Sequence, residues 1–282
     1  MFGRRKRAQH NGGARQDSPA AWPSSIREIN DLPLAEKRAI YATLIPDWVY
    51  SQFNISREGY NQQGQQAIYF RFPAGSSAVE ISIYHHSAAD DPVLYLHLGD
   101  TFNSQLIVLL MVVNDPNAPR FNIDVDEDGK PTLLGTNGRN IPEEIRAMQA
   151  GLAPGQVRRG LRVFRTAIPI FEQFVARMGH DIFFAEPLFY HNAIILERYG
   201  FAYSRGLQKM QNIHASFQPG GALHKALDGS TPFRQPEAWR TISGRSWAIH
   251  DGIMGAPLSG LQMYKRIGVD AKVCTFPNAR WA

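Results

Sequence analysis

The chain has 282 residues, 44% of them hydrophobic and 11% aromatic, an ordinary globular composition that suffices for one large domain or two small ones. Its net charge of +5 is concentrated at the start: without Arg4, Arg5, Lys6 and Arg7 the remainder carries +1, so a nucleic-acid-binding surface over the whole body is not indicated. Cys274 is the only cysteine, which excludes an intrachain disulfide and fits a reducing cytoplasm.

In chain order, residues 1–25 read as a basic, disordered tail with Gly12, Gly13 and no apolar pattern. No apolar run follows the arginines, so the tail is not a secretory signal, and binding to an anionic surface is its functional alternative. Residues 26–205 read as one α+β domain. Residues 34–53 have a helical pattern interrupted at Pro46. Period-two alternation then marks strands at 66–73, 78–86, 93–99, 105–113 and 121–126, joined by turns such as PAGSS and SAADDP, so neighbours are expected to pair antiparallel. The longest apolar run, LIVLLMVV at 106–113, is too short to span a bilayer and reads as a buried strand.

A helix is expected from Pro142, with Glu143 and Glu144 in its first turn. After Gly160, the residues Leu161, Phe164, Ile168, Phe171, Val175 and Met178 recur at spacings of three and four and share one helical face, with Pro169 expected to kink the helix. An apolar strand (DIFFA) follows at 181–185, then a helix opened by Pro187 and closed by Gly200. Strands 105–113 and 182–185 are expected to be neighbours in one sheet, with helix 161–178 packed across it. Residues 206–282 hold two short helices (207–217 and 221–228) and an irregular segment, expected to be an extension packed on the first domain. The fold class is therefore α+β: a mixed, largely antiparallel sheet flanked by helices, with a helical and irregular C-terminal extension.

Several constellations carry chemistry. EPLFYH at 186–191 stands where a strand ends and a helix begins, the place where ligands collect in α/β sheets. There Glu186 is a candidate general base, and Tyr190 or His191 a candidate acid; helix capping and a surface histidine are the structural alternative. DVDEDG at 124–129 matches the first half of a calcium loop, but position 12 is Gly135 rather than glutamate, and Asp-Gly between apolar runs signals a hairpin turn. His86, Glu80, Ser82 and Tyr84 share one strand face that can pair with Tyr95 and His97, forming a polar wall. No HExxH or CxxC spacing exists, so no metal is expected. WAIHDG at 247–252 puts His250 beside Asp251, whose side chains diverge, and Cys274 lacks an activating neighbour.

The basic turn GQVRRGL at 155–161, ahead of the helix, is the strongest feature. A helix start presents unpaired N–H groups and positive partial charge, glycine permits close approach, and arginines add charge-assisted hydrogen bonds, so this turn suits a phosphate. With QVRRGLRVF (156–164) and NAIILERYGF (192–201), the order of elements over roughly residues 35–205 resembles the GCN5-related N-acetyltransferase (GNAT) superfamily. The resemblance implies transfer of an acyl group from acetyl-CoA or another acyl-CoA to a small-molecule or peptide amine. It implies cofactor contacts at Gln156, Arg158, Arg159, Gly160, Leu161, Arg162 and Asn192. Arg162 stands where the family turn has a second small residue. Leu196 stands where many members have a tyrosine acid, and Phe189 where they have a cofactor-binding asparagine, with Asn192 one turn away. A binding or assembly protein that kept the architecture without the chemistry is the alternative that these departures support.

Overall fold

A computed structural model of the chain describes residues 22–135 and 137–282. The tail expected at 1–25 lies outside the described residues up to residue 21. Its last residues are docked: Trp22 packs edge-on against Phe174 with ring centroids 5.5 Å apart, and Ser25 caps the first helix by accepting the N–H of Glu28. In chain order the elements are α1 (Ile26–Asn30), α2 (Leu34–Ala42), α3 (Asp47–Gln52), β1 (Asn61–Gln62), β2 (Gln65–Gln66), β3 (Ile68–Arg71), β4 (Ala78–Ile83), β5 (Leu94–Asp100), β6 (Leu106–Val113), α4 (Ile141–Gln149), α5 (Phe164–Arg177), β7 (Ile182–Ala185), α6 (Tyr190–Arg198), β8 (Ala202–Arg205), α7 (Leu207–Phe217), α8 (Ala222–Lys225), a 3₁₀ turn (Pro236–Arg240), α9 (Ile242–His250) and β9 (Gln262–Arg266).

The architecture is α+β, built on a mixed seven-stranded sheet of order β3-β4-β5-β6-β7-β9-β8. Its pairs are antiparallel except β6 with β7, which are parallel neighbours. Alternation decides the faces. Val79, Ile81 and Ile83 of β4 and Leu94, Leu96 and Leu98 of β5 are buried on one face. There they join one core with Phe171, Phe174 and Val175 of α5 and with Ile26, Ile29 and Tyr41. Helix α5 lies across β7 as expected, with Phe171 stacked on Phe183 at 6.0 Å. The opposite face carries half-exposed Glu80, Ser82, Tyr95 and His97 in register, the polar wall read from the sequence.

Four expectations differ. The helix expected from Pro187 begins at Tyr190. Residues 121–126 are not a strand. The Asn122 N–H bonds to Glu143, and Asn140 Nδ2 donates to the carbonyls of Asn122 and Val125, so side chains at the start of α4 take the groups a partner strand would need. The helix after Gly160 begins only at Phe164, because Arg162 takes a left-handed conformation (φ 56°). The C-terminal segment is more than an extension: β9 enters the sheet between β7 and β8.

Residues between β6 and α5 form a second small core with Phe121, Ile123, Leu152, Phe233 and Trp247. The DVDEDG segment is a hairpin turn, in which Asp126 Oδ1 accepts the N–H groups of Asp128 and Lys130. An ionic network ties this segment to α9. Buried Glu144 meets Arg139 and, at 3.1 Å, His250, while Asp251 holds Arg139 and Arg234. Burial opposes the Glu144 charge, but the hydrogen bonds and charges of His250 and Arg139 outweigh it and hold its pKa below the usual value of 4.5. A depressed carboxyl stabilises the fold above its unfolded pKa and loses that contribution as pH falls. Glu144→Gln is therefore expected to cost about 3 kcal/mol at pH 7 in urea unfolding. The gap to wild type should narrow below pH 4.5 as the wild-type carboxyl protonates; a gap independent of pH would contradict the ionic role.

Candidate functional site

The parallel contact of β6 and β7 is short. Only Ile107 with Phe184 and Val108 with Ala185 are in register. Strand β6 continues to Val113, whereas the chain leaves β7 at Ala185 and turns through Glu186 into α6. The backbone edge of β6 from Leu109 onward thus has no strand partner on the β7 side among the described residues. The irregularity begins at the same place. His97 pairs with Leu110 and Leu98 with Val108, so Leu109 is an extra residue on β6, a bulge. The run read as a buried strand is therefore buried at Leu106 and Ile107 and half-exposed from Val108 to Val113.

The gap is a cleft with a cavity volume of about 90 Å³. Phe164, Ile168 and Phe171 of α5 form one wall, Ile195 and Leu196 of α6 another, and Glu186 and Asn192 bring the polar side chains. The cleft lies at the carboxyl ends of a parallel strand pair, the place where ligands collect in sheets of this kind.

The basic turn borders the end of β6, and its residues divide into two sets. Gln156 accepts the N–H of Ala153, and Arg158 donates to Asp91 at 2.8 Å and to the Ala118 carbonyl at 2.6 Å. Gly160 lies against the Val113 carbonyl, which an added Cβ would meet at 3.1 Å, and the Arg159 carbonyl accepts the Asp115 N–H. Those groups hold the turn. Leu161 is half-buried. The side chains of Arg159, Arg162 and Arg165 are exposed and make no ion pair among the described residues. The N–H groups of residues 160–165 likewise have no acceptor among the described hydrogen bonds. Helix α5 begins at Phe164 without a side-chain cap, so open donors, a helix start and three free guanidinium groups coincide.

Of the acid–base candidates, Glu186 is exposed at the cleft, and its side chain has no hydrogen bond or ion pair among the described residues. Tyr190 and His191 are buried and do not line the cleft. Tyr190 Oη lies 3.4 Å from Arg245 Nη1, and its pKa is pushed up to about 12, mainly by burial. His191 Nδ1 is 2.9 Å from Ser246 Oγ of α9, and burial, with a smaller push from His250, drives its pKa down to about 3. Asn192 does reach the cleft. Its Oδ1 accepts the Phe189 N–H at 3.1 Å, closing the start of α6, and its Nδ2 donates to His191 Nε2 at 3.3 Å. That donation leaves the His191 proton on Nδ1, facing Ser246. A hydrogen-bonded row thus runs from α9 to the cleft wall. Neither Ser246 nor the Leu109 bulge has a local sequence signal.

The chain matches no protein-family description, no curated protein and no solved structure. No described helix is long and apolar enough to cross a membrane.

His191 gives a pH prediction. A histidine whose folded pKa is lowered from 6.5 to about 3 is protonated first in the unfolded chain, so stability falls as pH drops between these values. The slope from this one group is about 1.4 kcal/mol per pH unit. Urea unfolding from pH 6.5 to 4 is expected to show that loss, and His191→Gln to remove one proton's worth of slope. An unchanged slope would contradict a buried neutral imidazole.

Proposed function

We propose that this protein is an acyltransferase that holds an acyl-CoA in the cleft between β6 and β7 and passes the acyl group to an amine. The observation that carries this reading is the separation of a parallel strand pair at Val108 and Ala185, with the open donors of residues 160–165 at its end. A cofactor with a pyrophosphate, two amides in series and an apolar arm needs those three features: anion donors, an unpaired strand edge and an apolar wall. Arg159, Arg162 and Arg165, with the N–H groups of the turn, would hold the pyrophosphate. The edge of β6 would hold the amides, and Asn192 would bound the arm. Gln156 and Arg158 would act by shaping the turn.

The chemistry is attack of the amine nitrogen on the thioester carbonyl carbon. The C–N bond forms, the carbonyl oxygen becomes an oxyanion, and the C–S bond then breaks to release the thiolate. Unpaired N–H groups of β6 are suited to stabilise the oxyanion. Glu186 takes the amine proton, as the ionisable side chain at the cleft. The thiolate draws its proton from solvent, because no tyrosine lines the cleft. The burial of Tyr190 and His191 favours a second reading, a binding protein that uses the same cleft without turnover.

Titration calorimetry with CoA is expected to give binding that Arg159→Ala with Arg162→Ala weakens by about 1–3 kcal/mol per lost contact. Glu186→Gln should leave CoA affinity unchanged and lower transfer to a model amine about a hundredfold. No binding at millimolar CoA would end the acyl-CoA reading. Binding with no thioester consumption by any amine would leave the binding protein.

A further inference from the structure

A second cavity, of about 200 Å³, lies beside the basic turn, between the β4–β5 loop, the residues after β6 and Arg158. Its polar wall consists of His85, His86, Asp90, Asp91, Asn114 and Arg158. We infer that this cavity is a binding site for a phosphomonoester, held by Arg158, His85 and His86.

The hydrogen-bond inventory points that way. Arg158 spends Nε on Asp91 and Nη1 on the Ala118 carbonyl, and its Nη2 has no partner among the described residues. His85 Nδ1 is sealed from solvent without a partner. A sealed lone pair is tolerated better than a sealed N–H, so the proton belongs on Nε2, which is not sealed and has no protein partner among the described residues. The exposed His86 ring lies 4.1 Å from the His85 ring, centroid to centroid. The carboxylate of Asp91 on the wall is already spent. Asp91 Oδ2 takes Arg120 and Arg158 and Asp91 Oδ1 takes Arg120, while Asn114 orients its amide by donating Nδ2 to the Pro92 carbonyl. Asp90 is exposed and is the one acidic wall residue without an ion pair among the described residues.

Three donor side chains around one space suit the three terminal oxygens of a phosphomonoester better than the two oxygens of a planar carboxylate. Burial, then His86 and Arg158, keeps the His85 imidazole on its neutral side, and a bound phosphate would reverse the last two influences. The same phosphate chemistry has two sources. One is the ribose phosphate of a CoA bound at the adjacent turn, which rests on the acyl-CoA reading; the other is a free phosphorylated metabolite.

The test is titration calorimetry of the full chain with inorganic phosphate, CoA and dephospho-CoA, using wild type, His85→Gln and His86→Gln. Inorganic phosphate is expected to bind wild type and to bind each variant about tenfold more weakly. CoA binding about tenfold tighter than dephospho-CoA, with the margin lost in His85→Gln, identifies the ribose phosphate as the ligand. Equal binding of CoA and dephospho-CoA, with phosphate binding still weakened in the variants, supports the site as one for a free phosphorylated metabolite. If neither cofactor binds while phosphate does, the acyl-CoA reading falls and the phosphate site stands. Unchanged phosphate affinity in both variants overturns the proposal. So does absence of phosphate binding at tens of millimolar together with equal CoA and dephospho-CoA affinities.

Discussion

The structure turns on a mismatch of strand lengths. Strand β6 runs for eight residues and β7 for four, and they share register at two positions. A parallel pair normally satisfies its backbone groups along its full length, and an unpaired strand edge inside a protein is costly unless water or a ligand completes it. Here β6 carries a bulge at Leu109 and runs on past the end of β7, and side chains of α5 and α6 line the gap where a strand would continue. The cleft is thus a consequence of where β7 stops.

The rest of the molecule holds that geometry. Helix α6 can leave β7 at a fixed angle because its buried face is clamped by α9, through His191 with Ser246 and Tyr190 with Arg245. Helix α9 is held in turn by the segment between β6 and α5. Trp247 donates to the Leu152 carbonyl at 2.8 Å, and the Glu144 network bridges the same two segments. The residues between β6 and α5 therefore do structural work at a distance, and the same segment delivers the basic turn to the end of β6. Arg245 is the least expected member of this frame. Its guanidinium is fully buried without a carboxylate among the described residues, lies 3.5 Å from the Phe276 ring centroid, and burial lowers its pKa. A cation over an aromatic face recovers part of the desolvation cost.

Elements with one clean period were legible in the sequence. The alternation of Val79, Ile81 and Ile83, the stripe of Phe164, Phe171 and Val175, and the Asp-Gly turn at 128–129 each have a single physical reading, and the structure follows it. The C-terminal elements were hidden for identifiable reasons. Strand β9 turns Lys265 inward, where it is buried beside Glu172 at 3.7 Å, so its alternation does not look apolar. Helix α9 is buried on most sides, Ser243, Arg245 and Ser246 included, so it shows no amphipathic stripe. At the site, the basic turn was visible as composition. Its division into structural and open groups depends on Asp91 and Ala118, partners far away in sequence. Tyr190 and His191 share their stretch with Glu186, and spacing alone cannot say which side of α6 faces the cleft. The bulge was invisible, because in LIVLLMVV one apolar residue more or less leaves no trace in the pattern.

The central claim is that the edge of β6 beyond Val108 is the ligand-bearing edge. Backbone hydrogen exchange with and without acetyl-CoA tests it directly. In the free protein, the N–H groups of residues 109–113 that point away from β5 should exchange much faster than those of residues 94–98 in the middle of the sheet. Saturating acetyl-CoA should slow exchange at residues 109–113 and 160–165 together. Slow exchange along the whole of β6 in the free protein, or protection by acetyl-CoA that spares both segments, would contradict the account.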